Sequence, residues 1–149
     1  MLKNEYLEKD GECYYCGNTA TTKDHLTPVS YIYNTGNRRK KRYFLDKKNL
    51  VPCCSQCNSI ANDLMFDSVE EKREHIQERL KSKYRKLLNM PEWTDEEIDE
   101  MGTTFQVDLR ITMMAKKWMI NRISYPDIIY EERLKDRSIL DILSVYTSV

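Results

Sequence analysis

Two short cysteine pairs, Cys13-Tyr14-Tyr15-Cys16 and Cys54-Ser55-Gln56-Cys57, constrain this chain more than any other feature. Each pair has the two-residue gap that clamps one side of a tetrahedral metal, and two such pairs close a four-sulfur site. Four thiolates at about 2.3 Å around one Zn²⁺ leave no coordination position for substrate, so the ion is expected to be structural. For a short strand-and-loop segment such an ion supplies much of the folding free energy. The five cysteines are an odd number. Clustered pairs with one left over favour metal over disulfides and a reducing, cytoplasmic setting. Cys53 is the leftover. It could replace Cys54 only with an altered gap, so Cys54 is preferred.

At 149 residues the chain suits one domain, or a small catalytic unit with a helical extension. No apolar run reaches the length of a membrane span, and the polar, acidic N-terminus does not read as a signal peptide. The formal net charge is zero, which argues against binding nucleic acid through total charge. Its distribution says more. Between Arg38 and Lys48, seven basic residues face the single acid Asp46, while the acids lie mostly beyond Asp63. Arg38, Arg39, Lys40, Lys41 and Arg42 therefore form a candidate phosphate-contacting loop. The plainer alternative is a solvated run of cations.

The coarse order reads strand, loop, strand, helix, with the cysteine pairs at both ends. Residues 3–10 suit a short helix, and Gly17 a tight turn behind the first pair. Thr19 to His25 is rich in β-branched residues and suits a strand, as does Asn49 to Pro52; a helix is expected from about Cys57. The second half reads as helical. Ser68-Val-Glu-Glu71 and Thr94-Asp-Glu-Glu97 have capping-box spacing. After the first, Val69, Ile76, Leu80, Tyr84 and Leu87 share one face up to Pro91. After the second come Ile98, Met101, Phe105 and Leu109, with Gly102 able to break or only weaken that helix. Met113, Met114, Trp118 and Ile120 continue an apolar stretch ending before Pro126, and a last helix suits residues 130–146. These stripes, and His75, are read as structural.

Between the cysteine pairs lies Asp24-His25-Leu26-Thr27-Pro28, and Asn49-Leu-Val-Pro-Cys-Cys54-Ser-Gln-Cys57-Asn58 closes the segment. Over residues 11–67 this order and spacing closely resemble the HNH (ββα-metal) endonucleases, in the branch with a four-cysteine zinc frame. The resemblance implies a zinc-stabilised ββα-metal core, with His25 as general base and Asp24 and Asn58 as ligands of a divalent metal. It also implies that Asn49 holds the loop in shape. Two departures stand out. The family's last ligand is often His where this chain has Asn58. Many relatives also have a basic residue shortly afterwards, where this chain has Ile60, Ala61, Asn62 and Asp63. Asn62, one turn on from Asn58, could be an additional or alternative ligand, and Asn58 could instead act as a helix cap.

The residue types suit that chemistry in their own right. Mg²⁺ or Mn²⁺ prefers oxygen ligands, which the Asp24 carboxylate and Asn58 amide provide. Imidazole exchanges protons near neutral pH, so His25 can accept one from an attacking water. A metal with few protein ligands keeps positions for water and phosphate, and can stabilise the departing 3′ oxygen. In-line attack requires base and metal on opposite sides of phosphorus.

The fold class expected is α+β: a zinc-stabilised core over residues 1–67 and a mainly α-helical extension over residues 68–149. The function expected is a metal-dependent endonuclease cleaving DNA, with duplex DNA the expected partner, of the kind found in phages, mobile elements and restriction systems. A double-strand break would need a homodimer or two successive nicks. The alternative is a catalytically inactive zinc-containing nucleic-acid-binding module, which the missing basic residue after Asn58 favours.

Overall fold

The computed structural model describes residues 11–28, 30–31 and 49–131, arranged as a small α+β protein. It divides into two compact units, Met1–Arg79 and Leu80–Val149. The helix expected at residues 3–10, the loop Arg38 to Arg42 and the last helix beyond residue 131 lie outside the described residues.

In the first unit, strands β1 (Thr22–His25) and β2 (Leu50–Cys53) pair antiparallel, with Asp24 opposite Val51 and His25 opposite Leu50. Strand β1 is shorter than the β-branched run from Thr19 implied, because the chain first makes a tight knuckle, whereas β2 has the expected length one residue further on. There Glu12 bridges Thr19, and the Gly17 N–H donates to the Cys13 carbonyl at 2.9 Å. Gly17 sits at φ 72°, which a side chain would strain. The knuckle is stitched to β2 by the Tyr14 N–H on the Pro52 carbonyl at 2.9 Å. Pro52 has no N–H to offer, which a two-stranded edge tolerates.

Helix α1 (Ser55–Ala61) follows β2 directly and packs against β1. It starts two residues before Cys57 because the Cys54 sulfur caps it, accepting from the Cys57 N–H at 3.4 Å. Asn62 ends it at φ 46°. Helix α2 (Val69–Lys83) begins at Ser68, whose hydroxyl accepts from the Glu71 N–H at 3.0 Å. The Glu71 carboxylate reaches back to the Asp67 N–H, one residue earlier than a capping box requires. Leu26, Val51, Ala61, Val69 and Ile76 form the apolar core with the two knuckle tyrosines.

In the second unit, Leu80, Tyr84 and Leu87 are buried as the stripe predicts, but the helix is interrupted at Tyr84. Tyr84 still takes part in the ladder, donating to Leu80 and accepting from Leu88, so the break before α3 (Arg85–Leu88) is a local distortion. Thr94 and Glu97 form a complete capping box on α4 (Asp95–Asp99). Helix α5 (Thr103–Ser124) starts after Gly102, and both α3 and α4 pack on it. Ile98, Met113, Trp118 and Met119 are buried, whereas Phe105 is 65% exposed. The spacing from Ile98 to Phe105 is helical only across an unbroken helix. Gly102 breaks it, so the face is not inherited. Among the described residues no helix is long and apolar enough to cross a membrane.

Candidate metal centre and strand-end site

The sulfurs of Cys13, Cys16, Cys54 and Cys57 all lie within 4.8 Å of one another and all four residues are buried. A tetrahedral zinc with bonds of about 2.3 Å places its sulfurs roughly 3.8 Å apart. The Cys16 and Cys54 sulfurs are separated by 3.8 Å. Contacts with Cys13, Cys16 and Cys54, followed by burial, push the Cys57 thiol far above its ordinary range. Such a crowd of sulfurs ionises together only around a cation. The cluster can hold a zinc ion. Cys53 stands just outside it: its sulfur lies 3.9 Å from that of Cys13 and 3.2 Å from the Cys54 carbonyl oxygen.

At the far end of β1 the four polar residues read from the sequence have distinct surroundings. Asn49 is buried and ties the turn after the strand. Its Oδ1 accepts from the Thr27 N–H at 2.9 Å, its Nδ2 donates to the Thr27 carbonyl at 3.3 Å, and its own carbonyl accepts from Leu26 at 2.8 Å. Asp24 is 3% exposed and faces inward. His25, the next residue, leaves the strand on the other face and is half-buried, as is its partner Leu50. Asn58 is half-buried on the first turns of α1, whereas Asn62 and Asp63 are exposed beyond its end. The structure joins no two of Asp24, His25 and Asn58 by a side-chain hydrogen bond. Among the described residues, the His25 ring and the Asn58 amide group have no hydrogen-bond partner.

The sequence reasoning missed two residues that meet Asp24. The Tyr15 hydroxyl donates to Asp24 Oδ2 at 2.5 Å, and Lys72 Nζ pairs with the same oxygen at 2.8 Å. Burial, followed by the Asp24 charge, holds the Tyr15 hydroxyl well above the usual phenol range, so it remains a neutral donor. Lys72 is 0% exposed. Its ammonium also donates to the carbonyls of His25 at 3.1 Å and Leu26 at 3.3 Å, and lies over the Tyr15 ring. All three ammonium hydrogens thus have an acceptor, as a buried charge requires. Two neighbours on α2 hold the knuckle itself: Arg73 donates to the Tyr14 carbonyl at 2.9 Å and Gln77 to that of Tyr15 at 3.1 Å. A signal was present in the sequence, because Lys72 occupies the apolar stripe of α2 between Val69 and Ile76. No family model, curated protein or solved structure matches this chain.

Proposed function

We propose that the chain is a metal-dependent HNH-type endonuclease that hydrolyses DNA phosphodiester bonds. The observation carrying this reading is the order of its parts. An antiparallel hairpin ends its first strand in Asp24-His25, its second strand runs straight into a helix carrying Asn58, and the four cysteines fasten both ends of that ββα unit. Asn49 fixes the turn that follows His25, which limits how the imidazole can leave the strand end.

In this reading His25 takes the proton of the attacking water, and its ring is free of competing hydrogen bonds among the described residues. Asp24 Oδ1 and the Asn58 side-chain oxygen hold the divalent ion, with Asn62 as a further oxygen donor. Mg²⁺ or Mn²⁺ bound there would neutralise phosphate charge and stabilise the departing 3′ oxygen. Zinc takes no part in the chemistry and keeps the hairpin and helix in register. Arg38, Arg39, Lys40, Lys41 and Arg42 contact flanking phosphates, and the partner is duplex DNA in a cytoplasm. A homodimer would give paired cuts, one per strand.

One observation favours a second reading, an inactive zinc-containing nucleic-acid-binding module. Asp24 is buried and already engaged by Tyr15 and Lys72, as a purely structural ion pair would be. Supercoiled plasmid incubated with the zinc-loaded protein and Mg²⁺ or Mn²⁺ separates the two. The nuclease reading expects nicked circles, none with EDTA and none with His25→Ala. Intact plasmid under both metals would favour the binding module.

A further inference from the structure

Both donors to Asp24 converge on one oxygen. Tyr15 and Lys72 each meet Oδ2, and among the described residues no group bonds Oδ1. A carboxylate that serves only as a buried counter-ion would gain by spreading its donors over both oxygens, since each oxygen has two acceptor sites. A carboxylate that binds metal through one oxygen is commonly held by hydrogen bonds on the other.

The origin of the two donors sharpens the point. Tyr15 lies in the gap between Cys13 and Cys16, so the turn that holds zinc also aims its hydroxyl. Lys72 fixes the same carboxylate while gripping the backbone carbonyls of His25 and Leu26. Arg73 and Gln77 tie the same helix to the successive carbonyls of Tyr14 and Tyr15. The knuckle, the strand end and α2 are thereby cross-braced around one carboxylate.

We infer that Tyr15 is a positioning residue: its hydroxyl, opposite the fixed charge of Lys72, occupies Oδ2 of Asp24 and leaves Oδ1 to a divalent cation. This rests on the nuclease reading for the identity of the cation, and it adds a direct link from the zinc turn to the metal ligand. Asp24 Oδ1 is the kind of oxygen such an ion takes, and the ion would bind a carboxylate whose charge the Lys72 ammonium already balances from the other oxygen.

The test is Mn²⁺ titration of the zinc-loaded full chain, following free Mn²⁺ by electron paramagnetic resonance, with zinc content measured on the same samples. The wild type is expected to bind one Mn²⁺. Tyr15→Phe should keep its zinc and bind Mn²⁺ about tenfold more weakly, the scale of an outer-contact loss. Asp24→Asn should weaken binding at least as much, and Tyr15→Phe added to it should cost nothing more, since the hydroxyl acts through the carboxylate. The inference is overturned if Tyr15→Phe binds Mn²⁺ as the wild type does. Loss of zinc together with Mn²⁺, which marks a merely structural tyrosine, overturns it too, as does Mn²⁺ binding that is absent or indifferent to Asp24→Asn. The expected Mn²⁺ pattern with uncut plasmid would retire the nuclease reading and leave Tyr15 in its role. Plasmid nicking with Tyr15→Phe unchanged in Mn²⁺ affinity would do the reverse.

Discussion

The two units of this chain reach stability by different means. In the second, Leu80, Leu87, Ile98, Trp118 and Met119 bury apolar surface between helices, and two buried cations lie within the same packing: Lys116 donates to the Met90 carbonyl and Arg122 lies over the Trp118 ring. Arg110 pairs with Asp95 and Asp99 at the surface, where ion pairs contribute little. In the first, the two strands have four residues each, and the interior holds five cysteines, an ion pair, a buried asparagine and two tyrosines. So few apolar groups cannot offset the chain entropy of so irregular a path. The lesson is that cysteines and Lys72 do in one unit what helix packing does in the other.

Removing zinc is the strongest way to break that comparison. Structural zinc sites are worth on the order of 10 kcal/mol, so chelation or Cys57→Ala should unfold the knuckle and hairpin. Hydrogen exchange should then show the amides of Cys13, Gly17 and Leu26 unprotected while those along α5 keep their protection. Equal loss in both regions would mean that the units share one stability.

Lys72→Met should follow, costing about 3–5 kcal/mol, because it strands the Asp24 carboxylate in the interior. Chemical denaturation measures it, and adding Asp24→Asn should recover part of the loss. A cost below about 1 kcal/mol would place the pair with the surface ion pairs of the second unit. The matching change in the helical unit, Leu87→Ala, should cost about 2–5 kcal/mol by leaving a cavity. Its signature is a lowered denaturation midpoint with zinc content unchanged.

The smallest effect belongs to Asn49. Replacing it by Ala leaves the Thr27 N–H and carbonyl without partners and should cost about 1–3 kcal/mol. Zinc stoichiometry should hold, and any plasmid nicking should fall by more than stability alone explains. A variant as active as the wild type would make the Asn49 bond to the turn dispensable.

Much of this architecture was legible because local rules governed it. The CxxC gaps select four cysteines of the five, and Thr94 with Glu97 marks a helix start that tertiary packing did not alter. The stripe from Val69 to Leu87 was readable too, since spacing alone sets which residues share a face. What could not be read depends on contacts distant in sequence. Lys72 stands out only by its place in an apolar stripe, and its partner Asp24, 48 positions earlier, is named by the fold alone. Phe105 looks like core until one helix ends at Asp99 and another starts after Gly102. The burial of Asp24 was not legible either, because it comes from Tyr15 and α2 rather than from its own strand.

The central claim is that a sulfur-fastened hairpin presents His25 as the base of a metal-dependent hydrolysis. A time course of plasmid relaxation in Mn²⁺, comparing zinc-loaded wild type with zinc-loaded His25→Ala, tests it most directly. The account predicts steady accumulation of nicked circles with the wild type and none with the variant. Equal nicking by both, or untouched supercoils with the wild type, would contradict it.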